Sequence, residues 1–164
     1  MISLGVLTLS DRGAAGVYAD VSGTTARALL LAGIPDAVVA CYSVIPDDRP
    51  TIEATLRRWA DEEHLALIVT TGGTGLAPRD VTPDATLAVL TYPVPGLAEA
   101  MRAASLAQTP LAMLSRAVAG VRGRTLIVNL PGSPRAVREC LSVILPALPH
   151  ALAKLAGDPD EPAG

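Results

Sequence analysis

Leu65-Ala66-Leu67-Ile68-Val69-Thr70-Thr71-Gly72-Gly73-Thr74-Gly75-Leu76-Ala77-Pro78-Arg79-Asp80-Val81-Thr82-Pro83-Asp84-Ala85 is the stretch that decides the fold. Its first seven residues are apolar or β-branched and stop at a glycine, which reads as a short buried strand. Its last four open a helix, with Thr82 as N-cap, Pro83 at the first helical position and Asp84 in the first turn. A strand that passes through a Gly-rich loop directly into a helix is the first half of a β-α-β unit.

The same alternation continues on both sides. Before it come a strand over residues 2–9, a helix near 23–32, a strand over 37–45 and a helix over 50–62. After it come helices over 83–90 and 95–106, then a hairpin whose arms, 112–121 and 125–130, turn through Arg122-Gly123, and a last helix opening at Ser133. Successive β-α-β units imply right-handed crossovers and a mostly parallel sheet with helices on both faces. The expected class is therefore α/β: a single three-layer α/β/α domain over residues 1–156, its central sheet made mixed by the hairpin. Residues 157–164, rich in Asp, Pro and Gly, read as a disordered tail.

The chain has 164 residues, enough for one domain that buries about two-thirds of its unfolded surface. Half of it is hydrophobic with 2% aromatic and no Phe, so the core must be built from Ala, Val, Leu and Ile, as suits a helix-covered parallel sheet. A net charge of −3 and a pI of 5.3 argue against a nucleic-acid partner. Cys41 and Cys140 lack a CxxC partner and read as buried reduced thiols. The N-terminus enters a strand without a basic segment, and the longest apolar tract, 141–156, is broken by Pro146, Pro149, His150 and Lys154. Neither a signal peptide nor a membrane span is expected, which implies a cytoplasmic protein. His64 and His150 stand apart without an HExxH spacing, and GxSxG is absent.

The chemistry-bearing residues sit where the expected strands end. Ser10-Asp11-Arg12 follow the first strand, Asp47-Asp48 the second, Thr71 to Asp80 the third, and Asn129 to Ser133 the last. Open α/β sheets bind ligands at that edge. Gly72, Gly73 and Gly75 allow positive φ and let backbone N–H groups approach a ligand, Arg79 can fork onto phosphate oxygens, and Asp80 offers a hard oxygen of the kind Mg²⁺ takes. A second anion site forms where Gly132 and Ser133 open a helix. The composition also suits a solvated turn, and it is neither a GxxxxGK[ST] loop nor a GxGxxG fingerprint. Asp48 doubles as a helix cap, Asp11 and Arg12 as turn residues; Ser115 and Arg116, at the head of the expected strand 112–121, are minor candidates.

TTGGTG-x3-RD-x-TP-D-A, running from Thr70 to Ala85, resembles the signature of the molybdenum cofactor biosynthesis family (MogA/MoaB-like). Asn129-Leu130-Pro131-Gly132-Ser133-Pro134 resembles its second loop and Ser10-Asp11-Arg12-Gly13 its opening loop. The resemblance implies a molybdopterin adenylyltransferase, which uses ATP and Mg²⁺ to make adenylylated molybdopterin and pyrophosphate. It implies a carboxylate pair, Asp47 and Asp80, with a catalytic or metal-holding role. It further implies substrate contacts from Ser10, Asp11, Arg12, Thr71, Gly72, Gly73, Thr74, Gly75, Arg79, Pro131, Gly132 and Ser133, a homotrimer, and the molybdate-inserting enzyme as a protein partner. Two other readings are a family member that binds the pterin without adenylylating it, against which the retained Arg79-Asp80-Val81-Thr82-Pro83 speaks, and a nucleotide hydrolase, which the TTGGTG spelling disfavours.

Overall fold

The short aliphatic runs of the sequence pair side by side. In the computed structural model, which describes residues 1–158, they are β1 (Ile2–Leu9), β2 (Ala37–Ile45), β3 (Leu67–Thr71), β4 (Tyr92–Pro93), β5 (Ala119–Arg122) and β6 (Thr125–Leu130). They form one sheet in the order β2-β1-β3-β6-β5-β4. β2, β1, β3 and β6 are parallel, while β5 pairs antiparallel with β6 and with β4, giving the expected mixed sheet.

Side chains alternate across the pleat and build a core on each face. Leu4 and Val6 of β1, Leu67 and Val69 of β3, and Leu126, Val128 and Leu130 of β6 face α2 (Val21–Gly33), α5 (Pro95–Leu106), α6 (Pro134–Ile144) and α7 (Leu148–Ala156). Leu7, Leu9, Ile68 and Ile127 point the other way, onto Ile52, Leu56 and Trp59 of α3 (Arg49–Asp61) and Ala85 and Val89 of α4 (Thr82–Val89). Each fully buried Leu, Ile or Val contributes about 1.5–3 kcal/mol relative to exposure. The one tryptophan fits because Gly5 lacks a side chain: a Cβ there would stand 2.8 Å from Trp59 Cε3.

Two sequence expectations give way. Residues 112–121 do not form one strand: Pro110–Leu114 make a 3₁₀ turn, and β5 begins only at Ala119. Pro110 cannot donate to a ladder, and Thr109 Oγ1 accepts from Leu111 N, so the turn is capped from its own sequence. Ser115 and Arg116 consequently lie in an irregular linker. Thr82 is not the N-cap of α4. Val81 holds that position without a side-chain bond, while Thr82 N donates to Gly73 O at 3.2 Å and its side chain turns into the protein. Residues 10–14, unassigned by periodicity, carry the single-turn α1 (Asp11–Ala14), capped by Ser10 Oγ accepting from Gly13 N at 3.0 Å. α2 starts two residues early because Asp20 accepts from Gly23 N at 2.9 Å.

Among the described residues, the one helical stretch long and apolar enough to cross a membrane is Pro134–Ala156. Its Val137, Cys140, Leu141, Ile144, Leu148 and Leu152 are buried in the core beneath the sheet, so it is a core element. Gly157, at φ 81°, and Asp158 close α7, with their N–H groups on the carbonyls of Lys154 and Ala153. The rest of the expected tail lies outside the described residues. Cys41 and Cys140 are both free thiols, Cys140 buried and Cys41 half-buried.

Candidate functional site

β1 sends its chain to β2 on one side, and β3 lies on its other side, so the crevice above the β1–β3 pair is a topological switch point. Register keeps the strand ends level: Leu9 stands beside Ile45, and Thr71 stands between Thr8 and Leu130. All four loops therefore start at one height. Above them opens a cleft of about 570 Å³ lined by Ser10, Asp47, Thr71, Gly72, Gly73, Asp80 and Gly132, together with Tyr18, Asp20 and Ser22.

The Gly loop is shaped by close approach. Gly72 has φ 99°, and a Cβ there would collide with the carbonyl oxygen of Leu9; its N–H donates to Leu130 O at 3.1 Å and so faces the sheet rather than the cleft. Gly73 has φ 67° and lies against Thr82 Oγ1 and Asp47 Oδ1. Thr74, Gly75 and Pro131 line the far side of the loop, a second and mostly apolar cleft of about 260 Å³ between α5, the 3₁₀ turn and α6. Thr71 Oγ1 donates to Pro131 O at 2.6 Å, which ties the last loop to the third, and Ser22 Oγ donates to Gly132 O, which ties it to α2. Ser133 caps α6 by accepting from Ala136 N at 3.1 Å and, like Arg12, is exposed.

The carboxylates are held by one another's backbone. Asp47 Oδ2 accepts from Asp11 N at 3.1 Å, and Asp47 N donates to Asp11 Oδ1 at 3.0 Å. Arg79 forks onto Asp11, with Nε 3.0 Å from Oδ2 and Nη2 2.7 Å from Oδ1. Asp11 is thus held below the usual carboxylate range by that guanidinium. The pair is exposed and screened by solvent, so Arg79 can exchange a carboxylate for a phosphate at little cost. Asp48 points away and caps α3, accepting from Thr51 N at 3.1 Å.

Burial pushes the Asp47 carboxyl upward, and the charges of Asp11 and Asp80 add to it against the opposing backbone bond and Arg79. A carboxyl raised in the folded state stabilises the fold below its ordinary pKa, and that contribution is lost as pH rises through the folded value. Asp47→Asn is accordingly expected to raise the thermal midpoint at neutral pH and to leave it unchanged in solution acidic enough to protonate both states. A lower midpoint at neutral pH would contradict the burial argument.

Sequence reasoning missed Asp20. Its carboxylate caps α2 and accepts from Thr8 Oγ1 at 2.7 Å and Tyr42 OH at 2.6 Å at the cleft wall. Burial and this carboxylate push the Tyr42 hydroxyl up to about 12. An Asp three residues before a glycine that opens an apolar run was the available signal, hidden by setting the helix start at 23. Among the described residues, no group of three or more His, Cys, Asp or Glu gathers to hold a metal by itself. Two oxygens at the loop are nevertheless buried without partners, Asp47 Oδ1 and Thr82 Oγ1, both against Gly73. This donor set fits a hard cation that shares its coordination with a phosphate.

Comparison with known proteins agrees with this architecture. Residues 5–150 match the family described as the probable molybdopterin binding domain. The chain is 43% identical over 157 residues to a molybdopterin adenylyltransferase of Helicobacter pylori strain J99, spanning 96% of this chain and 89% of that protein. It is 43% identical over 140 residues to the molybdopterin adenylyltransferase of Escherichia coli K12, spanning 85% of this chain and 72% of that one. The crystal structure of the molybdopterin biosynthesis enzyme MoaB from Thermus thermophilus superposes with a TM-score of 0.90 at 54% identity, over 97% of this chain and 99% of that one. With the family matched over nearly the whole sheet and its four loops, the chain belongs to the molybdenum cofactor biosynthesis family, by its probable molybdopterin binding domain.

Proposed function

We propose that the chain is a molybdopterin adenylyltransferase: it transfers AMP from ATP to molybdopterin and releases pyrophosphate. The observation that carries this is the meeting of Asp47 and Asp80 with the Gly72-Gly73 turn at one cleft, beside a second, apolar cleft on the other side of the same loop. A reaction that joins two substrates, each with a flat ring and a phosphate, suits two clefts that share a phosphate loop.

The terminal phosphate oxygen of molybdopterin attacks the α-phosphorus of ATP. A new P–O bond forms, the bond to the bridging oxygen breaks, and pyrophosphate leaves with that electron pair. Both reactants are anions, so the protein's work is positioning and charge stabilisation. Mg²⁺, held by Asp47 and Asp80 and completed by substrate oxygens, would offset the repulsion. Arg79, released from Asp11, takes phosphate oxygens by its fork. Ser10 borders the cleft from the first loop, with Asp11 and Arg12 next to it in sequence, and Gly132 borders it from the last, next to Ser133, while Pro131 lines the second cleft.

Pterin-dependent pyrophosphate release from ATP and Mg²⁺ by the purified protein tests the reading. Tight pterin binding without pyrophosphate would make it a binding protein; ATP hydrolysis without pterin would make it a hydrolase.

The reading extends to residues 1–156 as one catalytic unit, to the cytoplasm, where ATP is available, and to delivery of product to the molybdate-inserting enzyme. It also includes a homotrimer. Leu111, Met113 and Leu114 on the 3₁₀ turn and Leu76 on the Gly loop are all exposed, an apolar surface that a second subunit would cover. Light scattering is expected to give three times the 16.8 kDa chain mass. A monomer at micromolar concentration would overturn the assembly.

A further inference from the structure

The longest site loop is closed by a side chain from outside the four loops. Arg116 lies in the linker before β5, where its own N–H donates to Thr74 O at 2.8 Å. Its guanidinium then spans the loop. Nε donates to Gly75 O at 3.1 Å and Nη2 to Asp80 O at 2.6 Å, the two carbonyls that bracket residues 76–79. The outer nitrogens are oriented by a two-point pair with Asp84 in the first turn of α4, Nη1 3.2 Å from Oδ1 and Nη2 3.1 Å from Oδ2. All three guanidinium nitrogens are thus engaged, and none touches the Asp80 carboxylate.

Residues 76–79 are exposed and supply no core contact to hold the loop's shape. The remaining ties are Asp80 with Ala77 and Arg79 with Asp11, one internal to the loop and one at its exposed tip. A planar fork fixes the separation of the acceptors it bonds, which an ammonium group on a flexible stem does not. We propose that Arg116 is a positioning residue for adenylyl transfer: by bridging Gly75 O and Asp80 O it sets where the Asp80 carboxylate stands relative to Asp47 and the Gly turn. The inference rests on the function proposed above. Arg116 touches no substrate by this geometry, so it acts on turnover through Asp80 and leaves ground-state binding largely alone.

The test compares Arg116→Lys and Arg116→Ala with the wild-type chain. Hydrogen exchange on peptides covering residues 76–80, read without substrate, is expected to quicken about tenfold or more in both variants while exchange of β1 and β3 is unchanged. In the pyrophosphate assay kcat is expected to fall about 10²-fold, the cost of a small misplacement, with KM for ATP and molybdopterin changed by less than about threefold. Guanidinium added to Arg116→Ala should restore part of kcat, and sodium chloride at equal ionic strength should not. Unchanged exchange of 76–80 overturns the bridging role, whatever the activity. Quickened exchange with wild-type kcat, or a loss carried entirely by KM, overturns the link to turnover. A wild-type chain that releases no pyrophosphate defeats the proposed function instead, and the exchange result still decides whether Arg116 sets the loop.

Discussion

Asp80→Asn is expected to lower adenylyl transfer by about 10² to 10³-fold while the protein stays folded. The rate loss follows from removing one charge-stabilising group at the place where two anions must meet, the size typically seen when a single preorganised contact of this kind is deleted. The fold survives because Asp80 stands half-buried in a loop and belongs to neither core. Its side-chain bond is from Ala77 N to Oδ2 at 3.0 Å, and an asparagine oxygen can still accept it, without the assistance of charge. Its backbone ties, Asp80 N to Ala77 O and Arg116 to Asp80 O, do not involve the side chain. Turnover by pyrophosphate release and the thermal midpoint should therefore separate, the first collapsing and the second holding. Asp48→Asn is the matched control, since that residue caps α3 outside the cleft. An Asp80→Asn enzyme keeping more than half of wild-type turnover would remove this carboxylate from the mechanism.

The contrast between Asp47 and Asp48 marks how far the sequence could be read. Two adjacent aspartates before a proline both look like caps. Only the tertiary pairing of Asp47 with the Asp11 backbone turns one of them toward the cleft, whereas the Asp48–Thr51 bond is local and legible. The sheet was legible for the same reason as Asp48: β1, β2, β3 and β6 alternate or run apolar over five to nine residues, and their periods need no distant partner to be recognised. Residues 112–121 misled because alternation of apolar side chains outweighed Thr109-Pro110, whose capping and missing N–H commit the chain to a 3₁₀ turn. Arg116 ranked from sequence only as a minor candidate. Its acceptors lie 32 to 41 residues away, and a lone arginine beside an expected strand carries no local signal of them.

Gly73→Val is the substitution for which the structure changes the expectation most. From sequence, an added side chain fills space meant for phosphate and harms binding more than folding. The geometry directs it elsewhere. At φ 67° a β-branched residue is already strained, and its Cβ would overlap Thr82 Oγ1 and stand 3.0 Å from Asp47 Oδ1. Thr82 is fully buried in the first turn of α4, so it cannot retreat into solvent. Backbone strain and overpacking add, and the expected loss of stability is about 2–5 kcal/mol, measurable by urea unfolding. Nucleotide affinity, titrated under conditions where the variant is folded, is expected to fall more than about tenfold, because Asp47 is displaced as well as Thr82. Adding Thr82→Ala removes the overlapped oxygen but not the strained φ. The double variant should thus recover part of the stability, a coupling of about 0.5–3 kcal/mol in the double-mutant cycle. Full additivity of the two substitutions would mean that Gly73 and Thr82 are not in contact, and wild-type affinity in folded Gly73→Val would reduce the loop to a turn.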